Sequence, residues 1–357
     1  MNHQHPRRAT IYDIAREAEV SAKTVSRVLN GKPGVGAGTR ERILRIMEKL
    51  DYQPHMGART LRGGQRSAIG VALPASTHIV PVSQGFLIWL FEELVRIFVS
   101  EGEFITFDLN PFNNAGTPDY ARGLWQQLYK ACIVAGPLRV DDSVVRRIHR
   151  SDTPYLVFGR LDALPELSCA CVDYEEGAYL STRFLIERGH TRIAMLKAFS
   201  GFQPGVERIR GYQRALEESG LPWEPGLVRS VNFGAKNIAN EVFHLLSDPG
   251  VTALIDCSAT EDASSLREGA RRAGRKPGEN FDIVAWTYAN DGDVLHEAGA
   301  HVWLPAREVA SEGLEHLAAW VRGERDAPVH LVYRPVLRTE SLAREVPRPK
   351  RLFDLLE

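Results

Sequence analysis

The chain has few of the residues that would staple it or hold a metal. Its four cysteines, Cys132, Cys169, Cys171 and Cys257, show no CxxC and no paired spacing. That excludes a disulfide framework and predicts buried free thiols. Cys169 and Cys171 would share one strand face, but the sequence offers no partners to complete a metal site, so no metal is expected. Long apolar runs are also missing. The most apolar stretch, 86-FLIWLFEELVRIFVS-100, is 15 residues long and carries Glu92, Glu93 and Arg96. It is too short and too charged to span a bilayer. The opening MNHQHPRR is followed by no apolar run, so no secretory signal is expected and the reading is a cytoplasmic protein with no membrane partner. No GxSxG, HExxH, Walker or GxGxxG motif is present. An enzyme is therefore not expected, and neither catalytic residues nor a cofactor are assigned.

Net charge is nearly absent overall: the 357 residues sum to −1. The balance is uneven along the chain. Residues 1–66 hold 13 Lys+Arg against 6 Asp+Glu, a net +7, which leaves −8 on the remainder. A basic head on an acidic body predicts that only the head meets a polyanion.

What is there reads as three short helices, a linker and a long α/β segment. In 10-TIYDIAREA-18, Thr10 can cap the first turn and Asp13 can answer it. Ile11, Ile14, Ala15 and Ala18 form one apolar face. Ser21 can cap a second helix over 22–29, and a third runs about 37–50 with Ile43, Met47 and Leu50 inward. The stretch 54-PHMGARTLRGGQRS-67 has linker composition. From residue 68, short apolar runs alternate with amphipathic segments: AIGVALP, FITFDL, ACIVAG, PYLVFG, CACVD, RIAMLK, VRSVNF, TALIDC, DIVAW, HVWLP and HLVYRPVLR. Strands alternating with helices imply parallel sheets, and so many strands imply two doubly wound halves.

A helix over 22–29 that follows a capped helix after the turn 19-EVS-21 predicts a helix-turn-helix. Val25, Val28 and Leu29 share its inward face. Ala22, Lys23, Ser26, Arg27 and Asn30 share the outward face, which carries no acid. Lys and Arg can read guanine acceptors in a major groove, and Ser and Asn can reach phosphates. The run Gly31, Gly34, Gly36 and Gly38 with Lys32 lacks the GxxxxGK[ST] order and follows a helix, which argues against a phosphate loop.

The elements TIYDIA, VS-x-x-TVSRVLN, TRERI, LDYQP and ARTLR stand in an order and spacing that closely resemble the head and hinge of the lactose-repressor (LacI) family of bacterial transcription regulators. The resemblance implies base reading by Ala22, Lys23 and Arg27. It implies phosphate contacts from Thr10, Tyr12, Ser21, Thr24, Ser26, Asn30 and Thr39. It also makes the linker a hinge helix that folds on operator DNA. Ala58, Arg59 and Leu61 would then lie at the minor groove, with Leu61 as the wedge that kinks the duplex. Gly36 departs from the family's usual Ser, which weakens that helix cap.

The body resembles the family's effector domain more loosely, best at 172-VDYEEGAYLSTRFLIERGHTRIAML-196 and 208-RIRGYQRALEESGL-221. The implied fold is an all-α helix-turn-helix head plus an α/β body of two doubly wound parallel-sheet lobes, periplasmic-binding-protein-like of type I. The expected domains are 1–53 for the head, 54–66 for hinge helix and linker, 67–342 for the body and 343–357 for a tail. Within the body, the first lobe would take about 67–161 and 291–323 and the second about 162–288 and 328–342, with crossings near 160–163, 287–291 and 323–328. The ligand would lie between lobes at the carboxyl ends of the strands. Arg208 matches the family's effector anchor, Phe233 an effector-stacking aromatic, and Trp286 and Thr287 follow from position. Ala135, Gly159 and Ala259-Thr260 stand where relatives carry polar contacts, which argues for a different or less polar effector, or none.

The implied function is sequence-specific regulation of transcription, with repression as the expectation, under control of a carbohydrate-related small molecule. The alternative is a DNA-binding regulator whose degenerate body serves only dimerisation. A transport solute-binding protein would share the body but not the head. The partners are double-stranded operator DNA, the effector and a second copy of the chain. Leu352, Leu355 and Leu356 are too few for a heptad zipper, so a homodimer is favoured over a tetramer.

Overall fold

The computed structural model describes residues 10–29, 33–50, 52, 68–74, 84–109, 116, 118–198, 200–231, 235–258, 263–288, 295, 297–325 and 328–339. It divides into two units, Met1–Ser67 and Ala68–Glu357.

The first unit holds helices α1 (Ile11–Glu17), α2 (Ala22–Leu29) and α3 (Ala37–Lys49). The predicted capping box is present: Asp13 N–H donates to Thr10 Oγ1 at 3.3 Å, and Thr10 N–H donates to Asp13 Oδ2 at 2.9 Å. Such a cap is worth about 1 kcal/mol. Ser21 caps α2, accepting from Thr24 N–H at 3.1 Å. Glu19, in the turn between α1 and α2, adopts φ +51. Ile14, Val25 and Ile43, one from each helix, are fully buried at the centre. On α3 the second fully inward residue is Ile46; Met47 and Leu50 are only partly buried. A Lys49–Glu17 ion pair at 2.7 Å ties α3 to α1.

The second unit builds two six-stranded sheets. Strands are β1 (Ala68–Ala72), β2 (Phe104–Asp108), β3 (Tyr129–Ala135), β4 (Tyr155–Phe158), β5 (Cys169–Val172), β6 (Ile193–Ala198), β7 (Val228–Val231), β8 (Ala253–Cys257), β9 (Asp282–Thr287), β10 (Ala300–Trp303), β11 (His330–Tyr333) and β12 (Val336–Arg338). The first sheet runs β11-β5-β4-β3-β1-β2 and the second β12-β10-β9-β8-β6-β7. All pairings are parallel except β10 with β12. Both sheets thus repeat one doubly wound order, and in such sheets ligands bind beyond the carboxyl strand ends.

The helices of this unit are α4 (Gln84–Leu94), continued by a π-helical turn over Val95–Val99, then α5 (Arg122–Trp125), α6 (Ser143–His149), α7 (Tyr174–Glu187), α8 (Gln203–Glu218), α9 (Ala235–Leu246), α10 (Ala263–Arg272) and α11 (Ala306–Val321). Apolar side chains cover both faces of each sheet. That is why the parallel strands read as near-continuous apolar runs.

The lobe boundaries differ from expectation. β5 pairs with β4 and lies in the first sheet, whereas the sequence places 162–173 in the second lobe. The chain crosses at Asp173, between β5 and α7. β10 pairs with β9 in the second sheet, so the second crossing falls at 304–305 and not at 287–291. The run HLVYRPVLR is two strands and not one. Pro335 has no backbone N–H to give a ladder, and it separates β11 in the first sheet from β12 in the second. This third crossing therefore lies beyond 323–328.

All four cysteines are buried free thiols. Burial pushes Cys132 and Cys257 up to about 12. Among the described residues no helix is long and apolar enough to cross a membrane, and no group of His, Cys, Asp and Glu could hold a metal ion.

Candidate functional site

In the head, α2 turns Val25 and Val28 inward and leaves Lys23 and Arg27 exposed. Lys23 makes no ion pair or hydrogen bond among the described residues. Arg27 Nη2 donates to the Pro33 carbonyl at 2.9 Å, so its guanidinium lies against the loop that leads to α3. Gly34, at φ +93, brings that loop so close that a Cβ there would sit 3.0 Å from Arg27 Nη2. Part of the glycine run is thereby explained: it lets the loop approach the arginine. Ala22 packs partly against the core, so it is less outward than its helical position suggests.

The hydroxyls divide. Thr10 and Ser21 serve as caps, and Ser21 Oγ lies 2.9 Å from Thr24 Oγ1. Tyr12 stands 65% exposed, while Ser26 and Thr39 are half-buried. Asn30, the hinge residues Ala58, Arg59 and Leu61, and Phe233 lie outside the described residues.

In the body, Arg208 sits on α8 at the carboxyl end of the second sheet and is 5% exposed. Its guanidinium carbon lies 4.5 Å from the Tyr174 ring centre and 5.2 Å from that of Trp286. The two rings stack at 6.2 Å with a 14° tilt. Trp286 is fixed by Nε1 donating to Ser181 Oγ at 3.0 Å, and the Tyr174 and Tyr288 hydroxyls meet at 3.4 Å. Burial raises the Tyr174 phenol well above its ordinary range. Arg208 makes no hydrogen bond or ion pair among the described residues, and its Nε is buried without a partner. Thr287 is buried too, but it follows Trp286 on the strand and so faces the opposite side of the sheet. The structure thus brings Arg208 and Trp286 together, and Thr287 is the next residue of β9.

The lobes meet next to this group. Arg160, just after β4, donates Nε to Glu207 Oε1 at 3.0 Å and Nη2 to Asp173 Oδ1 at 3.1 Å. Gln203 also donates to Glu207 Oε1 at 3.3 Å. Burial raises the Glu207 carboxyl despite Arg160, and its Oε2 has no partner among the described residues. Arg210 pairs with Asp162. Gln203 N–H donates to the Leu138 carbonyl at 2.9 Å and Val140 N–H to that of Gly201 at 3.2 Å, which makes a short antiparallel bridge between lobes.

Arg160, Tyr174, Lys197, Gln203 and Glu207 were not singled out from sequence. Lys197 alone left a local signal: it interrupts the otherwise apolar strand β6, IAMLKA, where a buried lysine is unusual.

A helix-turn-helix head and two parallel-sheet lobes joined by three crossings define a DNA-binding protein with a two-lobed sensor-type body. Residues 10–55 match the profile of "Bacterial regulatory proteins, lacI family", and residues 98–290, more than half of the chain, match that of "Periplasmic binding proteins and sugar binding domain of LacI family". The chain belongs to the LacI family: it is a DNA-binding transcriptional regulator and not an enzyme. It is 25% identical over 322 residues to catabolite control protein A of Priestia megaterium, covering 88% of this chain and 93% of that one. It is 27% identical over 345 residues to the regulator CelR of Thermobifida fusca, covering 95% and 98%. A CelR–cellobiose complex superposes with a TM-score of 0.63 at 25% identity over 93% of this chain and 98% of that one. The lac repressor dimer bound to operator and the anti-inducer ONPF gives 0.73 at 20% identity over the same shares, a likeness of fold.

Proposed function

We propose that the chain is a cytoplasmic transcriptional repressor whose affinity for its operator is set by a carbohydrate-related small molecule bound between the lobes. The observation that carries this reading is Arg208. It is a cation buried at the carboxyl strand ends, stacked on Tyr174 and Trp286, with no hydrogen-bonding partner among the described residues. A buried guanidinium without a partner is costly unless a ligand completes it. The interlobe bridge and the Arg160–Glu207 pair give that ligand a closure to favour or oppose, which would change DNA affinity through differential binding to two states.

On the DNA side, we assign sequence reading to Lys23 and Arg27 with Ala22 beside them. Phosphate contact goes to Tyr12, Thr24, Ser26, Asn30 and Thr39, with the caps Thr10 and Ser21 contributing. Minor-groove wedging is assigned to Leu61, with Ala58 and Arg59 as the other hinge residues at the minor groove. The exposed, acid-free edge of α2 supports the first assignment. Ile88, Phe91, Val95 and Val99 leave an exposed apolar stripe on α4 and its π-helical turn, and Phe107, its ring 5.2 Å from that of Phe91, continues it on the edge strand β2. Spacing of three to four residues on one helical face, next to an unpaired strand edge, fits a second copy of the chain.

Genomic footprinting followed by gel shifts on the bound sites tests the reading. A carbohydrate that alters operator release by the wild type and not by Arg208→Ala supports it. Operator binding by both proteins that no substrate of the neighbouring genes alters would favour the second reading, a body that serves dimerisation only. The apolar strand ends at Ala135 and Gly159 speak for that alternative.

A further inference from the structure

Lys23 and Arg27 stand one turn apart on α2 and are held in different ways. Lys23 makes no hydrogen bond or ion pair among the described residues. Arg27 Nη2 is tied to the Pro33 carbonyl at 2.9 Å, six residues further along the chain. That carbonyl is itself fixed. The pyrrolidine ring sets the φ of Pro33, and Val35, two residues on, packs against the head core that contains Ile14, Val25 and Ile43. Gly34 between them adopts φ +93, which strains any residue with a Cβ. An added Cβ would also stand 3.0 Å from Arg27 Nη2 and 3.5 Å from its Cζ. Glycine is thus required at 34 for two separate reasons. Gly36 and Gly38 answer to neither, since an added Cβ there meets nothing within 4 Å.

We infer that the Pro33–Gly34 turn is a positioning device for Arg27, which presets the guanidinium before DNA arrives and sharpens the choice of the base pair it reads. This rests on the reading of Arg27 as a base reader and adds the residues that set its selectivity. A long side chain free on a surface loses rotamer freedom when it binds, and it can swing to an acceptor on a wrong base. The Pro33 carbonyl takes one of the five N–H donors of Arg27, so a bidentate pair to guanine stays available. Reaching a displaced acceptor would break the Pro33 bond or press the guanidinium against Gly34. Lys23 has no such restraint, and its ammonium is a compact charge on a flexible stem. The two cations of one reading edge therefore divide the work: Arg27 fixes one base pair strictly, and Lys23 adapts to its own.

The test uses the full chain in site selection from a randomised DNA pool, then gel shifts on the selected site and its single-base variants at one salt concentration. Arg27→Ala and Lys23→Ala identify the base pair that each cation reads. We expect Gly34→Ala to lower discrimination at the Arg27 base pair by about three- to tenfold. The preference at the Lys23 base pair and the affinity for non-specific DNA should stay as in the wild type, and Gly38→Ala should keep the whole profile. Gly34→Asn accepts a positive φ more readily than alanine and still places a Cβ against the guanidinium, so it should lose the same discrimination in a head that melts like the wild type. In the Arg27→Ala background, Gly34→Ala should change nothing further. Discrimination at the Arg27 base pair unchanged in both Gly34 variants overturns the inference. So does a loss spread evenly over all base pairs, or one that persists in the Arg27→Ala background, because the turn would then act through the fold of the head. An Arg27→Ala profile identical to the wild type sinks the base-reading assignment, and the inference with it.

Discussion

The two lobes of the body share a strand order and differ at their carboxyl ends. The first ends its β1–β3–β4 row in Leu73, Ala135 and Phe158; the second ends the matching row in Lys197, Cys257 and Trp286. The same fold can therefore close one lobe with apolar side chains while the other keeps buried charge. What differs between the lobes is side-chain chemistry at a few strand ends, and a site of this kind is built on a fold without being dictated by it.

Helix packing sharpens the contrast most. Gly211 on α8 lies against the backbone of α7, so that a methyl group there would overlap the Glu175 carbonyl oxygen. In the first lobe, Gly313 on α11 faces side chains, with its added Cβ 2.9 Å from Ala170 Cβ. The Ala170 Cβ is fixed by its own strand, but the overlap there is slight, whereas the Cβ at Gly211 would sit far inside van der Waals contact with the Glu175 carbonyl oxygen. Gly211→Ala should cost more than about 3 kcal/mol and Gly313→Ala about 1 kcal/mol, because alanine's better helix propensity offsets part of the crowding there. Urea unfolding of both variants checks this, and equal losses would break the distinction.

The next largest effect concerns the charge that one lobe lends the other. Arg160 belongs to the first lobe and Glu207 to the second. Arg160→Ala leaves Glu207 buried with Gln203 as its remaining donor, at a cost of about 2 kcal/mol. Adding Glu207→Gln should recover at least about half of that loss, since no buried carboxylate is then stranded. A double variant no more stable than Arg160→Ala would mean that the pair does not couple the lobes.

Which parts of this were legible depends on how local the signal is. The head was readable because each of its features spans few residues: the Thr10–Asp13 box, the Ser21 cap and the Val25/Val28 face are all set within one helical turn or two. Strand positions were readable for the same reason, as short apolar runs. Sheet membership was not. CACV at 169–172 is apolar on both faces and would suit either sheet; pairing with β4 decides it, and no local pattern encodes that partner. HLVYRPVLR contains its own break at Pro335, a local signal for two strands. The interlobe group was the least legible part. Arg160, Tyr174, Glu207 and Trp286 come from four separate segments, and only folding shows that Arg208 stacks on two rings.

Trp286 tests whether the second lobe needs its particular aromatic. Its counterpart Phe158 packs edge-on against Phe86 at 5.2 Å and carries no polar atom. Trp286→Phe should cost about 1 kcal/mol from the lost hydrogen bond. Ser181 keeps its bond to the Gly177 carbonyl at 2.8 Å, so no buried hydroxyl is stranded. Thermal melting measures the cost. A loss above about 3 kcal/mol would instead point to a cavity that the smaller ring cannot fill.

The smallest effect lies in how helices end. In the second lobe α8 exits through Gly220 at φ +68, with Leu221 N–H donating to the Leu216 carbonyl at 2.9 Å. In the first lobe α5 exits with the same bond, Leu128 N–H to the Gly123 carbonyl at 2.9 Å, but the left-handed position is Gln127 at φ +57. A residue with a Cβ is disfavoured there by about 1 kcal/mol, whereas glycine adopts the conformation freely. Gln127→Gly should therefore stabilise the first lobe by about 0.5 kcal/mol, after the extra chain entropy of glycine is subtracted. The reverse exchange, Gly220→Gln, should destabilise the second lobe by a similar amount, since open space surrounds Gly220 and only the backbone resists. Opposite signs in the two melting temperatures would mean that the lobes share one helix-exit geometry and differ in how well their residues suit it. The same sign in both would mean that Gln127 gains something from its side chain that the backbone cost conceals.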